Sequence, residues 1–309
     1  MMLDADAMPD ADPMRGRGRS TSCDWHSASI LLQADDGMSA MLCNWMLHYR
    51  LLRLPNPVYV VAFGAAVAQQ LVRIPDLRVV SPPKMAVPLA QGTSNYGSAT
   101  FYALNTAKIK AAQDLLEATR RPVVFSDVDT VWIRNPLREL NALPSQKSFA
   151  VAPDANELSP CVGPGCSSPG REGNRTAHVL HHVCACFFAV CARGQGRRVL
   201  DAWWAAAGAE AGRTNEQKAL QKLLDARPEL ITGNALEPAA PLVGPVAILP
   251  HAVFPTGRHD PPVTPQAAWV HANWIQRKTR TSTTTAKRNR LRAHGLWKEE
   301  CTHLNGTAF

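Results

Sequence analysis

The sequence lacks any apolar run of bilayer-spanning length, and its first 27 residues carry Asp, Arg, Pro and Gly where a secretory signal would carry an apolar core. The chain therefore offers no helical membrane anchor, and membrane association requires an anchor not present in it. Internal repeats and heptad seams are missing too, which argues against solenoids and coiled coils. Residues 1–27 read as a disordered leader, because charge and small side chains leave little to bury against the entropy of ordering.

What is present supports a sizeable core. The 309 residues are 46% hydrophobic, enough for one large α/β domain or two small ones. The net charge of +8 is spread along the chain except between Arg277 and Arg292, where Arg277, Lys278, Arg280, Lys287, Arg288, Arg290 and Arg292 crowd together. This stretch has no interleaved aromatics and no nucleic-acid reading motif, so a local anionic ligand explains it better than DNA or RNA.

Eight cysteines are more than a cytosolic enzyme needs, and five (Cys161, Cys166, Cys184, Cys186, Cys191) share one span. An oxidising lumen with disulfides accounts for them, and the acceptor triplets at Asn174 and Asn305 agree with a secretory route. Cys161, Cys166, His178, His181, His182, Cys184 and Cys186 also invite a zinc reading, but their spacing fits no C-x-x-C or H-x-x-x-H frame.

Helical spacing of Met41, Leu42, Trp45, Met46 and Tyr49 predicts a helix over residues 39–54, followed by a short β-branched strand over 58–63. Further helices are expected over 65–74, 99–118, 197–211 and 215–226, and strands over 77–80, 122–126, 149–152, 186–190, 246–249 and 269–270. Residues 153–182, rich in Gly, Pro, Ser and Cys, read as a long loop, and the Thr-rich stretch 279–285 as another. Alternating helices and buried strands imply an α/β fold: a single doubly wound domain over residues 28–300, with a mixed, mainly parallel sheet flanked by helices and a short tail from 301 to 309.

The chemistry concentrates where a buried strand, Val123-Val124-Phe125-Ser126, runs into Asp127-Val128-Asp129. Two carboxylates one residue apart at a strand end supply the oxygen ligands that Mn²⁺ or Mg²⁺ prefers, and such an ion neutralises a diphosphate. An Asp-x-Asp alone is common on solvated turns. Here it sits inside Phe-Ser-Asp-Val-Asp-Thr-Val-Trp-Ile-Arg-Asn-Pro (residues 125–136), a long and specific phrase.

In that phrase the chain resembles the nucleotide-diphospho-sugar transferase family. The resemblance runs in order over residues 40–297: Tyr96-Gly97-Ser98 with Phe101 and Lys108, then Asn215-Glu216-Gln217, Phe254-Pro255-Thr256-Gly257, Val270-His271-Ala272-Asn273-Trp274, and Lys287 with Gly295-Leu296-Trp297. Glu216 stands where the resemblance leads one to expect Asp. The resemblance implies a GT-A type glycosyltransferase with a UDP- or GDP-sugar donor and a glycan or glycoprotein acceptor, similar to plant and algal cell-wall arabinosyl-, xylosyl- and galactosyltransferases. It implies a metal held by Asp127, Asp129 and His271, and a Golgi-lumen address.

Tyr96, Lys108, Asp127, Asn273 and Lys287 are the expected substrate-binding residues, and several candidates have a plain alternative beside the functional reading. Lys108 reaches donor phosphates or is a solvated helix lysine, and His271 serves the metal or is structural. Asp154 orients acceptor or caps a turn, and Gln217 steadies developing positive charge or opens a helix. Trp132 reads as core. A catalytically idle relative serving as a carbohydrate-binding or scaffold subunit is the main alternative to an enzyme, and a basic nucleic-acid-binding protein is the lesser one.

Overall fold

The computed structural model describes residues 23–83, 98–154, 182–209, 215–231, 244–256, 263–273 and 283–303. Its first strand, β1 (Ser29–Asp35), has no counterpart among the expected elements, although Ile30-Leu31-Leu32 is the continuous apolar run of a strand buried on both faces. Helix α1 (Ser39–Leu51), β2 (Val58–Phe63), α2 (Ala65–Leu71), β3 (Leu77–Val80), α3 (Ala99–Thr119) and β4 (Val123–Ser126) follow close to the expected bounds. Beyond β4 come β5 (Thr130–Trp132), α4 (Leu137–Asn141), β6 (Phe149–Pro153), β7 (Val183–Val190), α5 (Gln195–Ala209), α6 (Glu216–Ala226), β8 (Val246–Ile248), β9 (Trp269–His271) and α7 (Thr283–Ala293).

The main sheet has the order β3-β2-β1-β4-β7-β6-β8, and β5 pairs with β9 in a separate ribbon. β1 lies parallel to β2 and β4, and β6 parallel to β8, while β7 runs antiparallel to both of its neighbours. This is the expected mixed, mainly parallel α/β sheet. Alternation along β1 divides the core: Ile30 and Leu32 pack with α1 on one face, and Leu31 packs with α3, α5 and α6 on the other. On the α1 face Trp45 stacks on Tyr49, with ring centroids 5.0 Å apart, and meets Trp132 edge-on at 5.4 Å. Trp132 is a core residue, as expected.

Three expectations about the ends of elements need correction. Residues Cys23 to Ser27 do not behave as leader: Trp25 is 2% exposed in the core, and Cys23 is bonded to Cys191. Cys301 is fully buried and bonded to Cys43, so the chain from 301 is not a free tail at its start. The Thr-rich segment expected as a loop instead begins α7 at Thr283, because its later residues pack Leu291 into the core. Most of the Cys-rich segment 153–182, including Cys161, Cys166, His178 and His181, lies outside the described residues.

The Cys43–Cys301 bond joins α1 to a 3₁₀ turn over Glu299–His303 across 258 residues of sequence. A bond closing so long a loop removes much of the entropy of the unfolded chain. The double replacement Cys43→Ser, Cys301→Ser is expected to lower unfolding free energy by about 2–5 kcal/mol in a denaturant titration.

Candidate functional site

β4 ends at Ser126, and the hydrogen bonds around its hydroxyl shape the turn that follows. Thr130 Oγ1 donates to the Asp127 carbonyl at 2.6 Å and lies 2.8 Å from Ser126 Oγ. The indole N–H groups of Trp132 and Trp269 both donate to Ser126 Oγ, at 3.2 and 3.3 Å. With its hydroxyl proton directed to Thr130, Ser126 is saturated, and all four side chains are buried. The Asp127 N–H is held by the Cys186 carbonyl of β7 at 2.8 Å. The loop between Ser126 and Thr130 is thus tied at both ends, and Asp127 and Asp129 leave it toward the same crevice.

The third member arrives by tertiary pairing. In the β5–β9 ribbon Thr130 faces His271, and the Asp129 carbonyl accepts the Ala272 N–H at 3.1 Å. This places His271 Nε2 3.3 Å from Asp129 Oδ1. One ligand atom from each of Asp127, Asp129 and His271 falls within a common 4.8 Å, an oxygen-rich set with one imidazole that suits Mn²⁺ or Mg²⁺.

Two lysines balance the acids. Lys287 of α7 donates to Asp129 Oδ2. Lys108 of α3 is only 1% exposed; its ammonium lies 2.8 Å from Glu216 Oε1 and 3.8 Å from Asp127 Oδ1, above the Phe125 ring. The solvated-lysine alternative for Lys108 is therefore wrong.

The acids diverge in proton affinity. Burial pushes the Asp127 carboxyl up to about 6, with Asp129 adding to the rise and Lys108 opposing it. Burial acts on Asp129 in the same direction, but Lys287 and His271 outweigh it and hold this carboxyl far below the usual range. Both lysines are held above their ordinary value: burial lowers each, and the adjoining carboxylates more than compensate. At neutral pH the geometry presents ionised Asp129 and Asp127 with two fixed ammonium groups beside them.

Beyond Glu216 the network continues to the remaining candidates. Asn215 caps α6 by accepting the Lys218 N–H. Gln217 accepts the Ala185 N–H at 3.2 Å and donates to Asp154 Oδ2 at 3.2 Å, and the Asp154 carbonyl accepts the Thr256 hydroxyl. Asp154 and Gln217 are thereby brought together, through α6, with the Lys108 side of the site. The Asn273 carbonyl accepts from Arg290, next to the His271 segment. Tyr96 lies outside the described residues.

Sequence reasoning missed the Ser126 knot, the Glu216–Lys108 pair and a third disulfide, Cys184–Cys186, whose Cys184 sulfur lies 3.6 Å from His271 Nδ1. Only Glu216 carried a signal, its place beside Gln217.

Paired acids, an imidazole and two lysines gather where strands of a mixed α/β sheet deliver their carboxyl ends, the place where such folds take ligands. The chain belongs to the nucleotide-diphospho-sugar transferase family, whose profile matches residues 58–291. It is thus a glycosyltransferase, built on a mixed, mainly parallel α/β sheet.

Among solved structures, the galactosyltransferase LgtC in complex with donor and acceptor sugar analogues is 14% identical, covering 91% of this chain and 97% of that one with a TM-score of 0.49. A glycosyltransferase involved in glycosylation of the major capsid of PBCV-1 is 12% identical, covering 85% and 98% with a TM-score of 0.44. GlyE of Streptococcus pneumoniae TIGR4 is 10% identical, covering 88% and 66% with a TM-score of 0.46. No curated protein matches the chain.

Two outcomes test this geometry in the metal-free protein. Ser126→Ala leaves two buried indole N–H groups unpaired and is expected to cost about 2–5 kcal/mol of stability in denaturant. The Asp127 side-chain carboxyl resonance is expected to titrate near pH 6, and higher still in Lys108→Met, which removes the cation that favours the ionised form. Because the folded value lies above the unfolded one of about 3.9, ionising Asp127 lowers stability as pH rises through the window between them.

Proposed function

We propose that the protein is a metal-dependent glycosyltransferase that moves a sugar from a UDP- or GDP-sugar to a glycan or glycoprotein acceptor. The observation carrying this reading is the convergence of Asp127, Asp129 and His271 with Lys287 and Lys108 at the end of β4. Asp127, Asp129 and His271 would hold Mn²⁺ or Mg²⁺, which when bound supplies positive charge against the leaving diphosphate.

The chain's own groups support the same chemistry. Lys108, buried, and Lys287, partly buried, are ammonium groups fixed by ion pairs beside the proposed metal ligands, suited to the diphosphate's negative charge with little reorganisation. Glu216 gives one oxygen to Lys108, and its other oxygen is buried without a hydrogen-bond partner, an acceptor available to a sugar hydroxyl. Gln217 and Asp154, linked to each other beside this group, are the candidates for orienting the transferred sugar and its acceptor. Within α7 the basic stretch is partly consumed internally, Arg292 by Glu299 and Arg290 by the Asn273 carbonyl, which favours a small anionic donor over nucleic acid. Three disulfides among the described residues support an oxidising address such as the Golgi lumen.

Donor hydrolysis and transfer with a panel of UDP- and GDP-sugars, in Mn²⁺, Mg²⁺ or EDTA, test the proposal. Turnover is expected with one donor, lost in EDTA, and reduced about 100-fold or more in Asp129→Asn with the circular dichroism unchanged. Undiminished turnover in that variant refutes the metal assignment. Donor silence with every metal favours the catalytically idle alternative.

A further inference from the structure

The Cys184–Cys186 bond has little structural use. It spans a single intervening residue, whereas the bonds Cys23–Cys191 and Cys43–Cys301 span 168 and 258. Since the entropy removed from the unfolded chain grows with loop length, a crosslink across one residue contributes least of the three. It sits at a break in the sheet: β6 pairs Val151 with Phe188 and next Ala152 with Cys184, which leaves Ala185, Cys186 and Phe187 without register partners on β6.

The two sulfurs also face an imidazole that is already engaged on its other side. His271 turns Nε2 toward Asp129 and Nδ1 toward Cys184, and one ligand atom each from Cys184, Cys186 and His271 lies within 4.8 Å of the others. The three residues are buried, at 2%, 3% and 6% exposure. On the Asp129 side the donor set is two oxygens and a nitrogen; on the cysteine side it is two sulfurs and a nitrogen. Hard cations suit the first, and thiophilic cations the second.

We propose that Cys184, Cys186 and the Nδ1 side of His271 form a second metal site, opened when a dithiol reduces the Cys184–Cys186 bond and filled by a thiophilic divalent cation such as Zn²⁺. In the reduction the dithiol's two sulfurs join to each other, the Cys184–Cys186 bond breaks, and the two electrons and two protons pass to the cysteines as thiols. The cation then displaces both thiol protons and takes the Nδ1 lone pair. With both thiol protons displaced, the two thiolates cancel the cation's charge, so the site fills without adding net charge beside Asp129.

The test uses the whole chain, oxidised or reduced with dithiothreitol, exposed to Cd²⁺ as the thiophilic probe and then desalted. Alkylation with mass mapping verifies which cysteines are free. Reduced wild type is expected to retain one more Cd²⁺ per chain than Cys184→Ser treated identically, with thiolate-to-cadmium charge-transfer absorption; referencing to that variant cancels cysteines elsewhere. Zinc-edge X-ray absorption of reduced wild type supplies a readout that needs no variant, with two sulfurs and at least one imidazole nitrogen expected around zinc. Equal retention by oxidised protein, undiminished retention in Cys184→Ser, or fewer than two sulfurs at zinc overturns the proposal. None of these readouts uses a sugar donor, so a failed donor screen and a failed metal site remain distinguishable.

Discussion

Keeping Asp129 ionised in a place where it is 5% exposed is the constraint around which the rest is arranged. A buried carboxylate is tolerated only with charged partners in good geometry. Its partners, Lys287 and His271, lie far along the sequence from it and come from a helix and a strand that belong to no common hairpin. The C-terminal segment must therefore return to the end of β4, and several contacts with α1 bring it there. Leu296 O accepts from His48 and Asn44, Lys298 N–H donates to Asn44 Oδ1, and Cys301 is bonded to Cys43. Burial holds His48 below its ordinary value, and its bond to Leu296 works against that. The α1 side of the core is in this sense a scaffold for α7, and α7 delivers the charge that Asp129 needs.

The same economy of position appears at Ser126. One hydroxyl at the end of β4 receives two tryptophans, one from each strand of the β5–β9 ribbon, and reaches Thr130 at the ribbon's start. Packing of the aromatic cluster and placement of the Asp127, Asp129 and His271 side chains are thus one problem. Trp269 meets His271 at 5.6 Å between ring centroids, so the rings that exclude water from the core also border the imidazole. A change that loosens these rings is expressed at the site, which lies where the sheet's rigid part gives way to loops.

Much of this was legible in the sequence because its signals are local. A β-branched run followed by Asp-x-Asp announces a strand and acids at its end, and helical spacing sets α1, α3 and α6 within a few residues. His271 stands out in the sequence through the order of motifs, not through any property of its own neighbourhood. What stayed hidden is tertiary. Ser126 reads as an ordinary strand residue until two distant indoles arrive, and Lys108 reads as a surface lysine until Glu216 pairs with it. Trp25 and Cys23 sit in a polar, charged run that only a disulfide and the α4 neighbourhood draw in, where the Trp25 N–H donates to Asn141.

His271 is where these levels meet. An imidazole has two nitrogens with separate partners, and the state of one sets what the other offers. Here one nitrogen faces a carboxylate fixed as an anion and the other faces sulfur. While the sulfurs are joined they carry no charge and no proton to donate, so the carboxylate is the ring's charged neighbour. The Cys186 carbonyl meanwhile holds the Asp127 N–H, so the strand carrying the sulfurs also sets the first acid. Any chemistry that alters the Cys184–Ala185–Cys186 backbone therefore acts on two of the cluster's three side chains at once, His271 through its ring and Asp127 through its main chain.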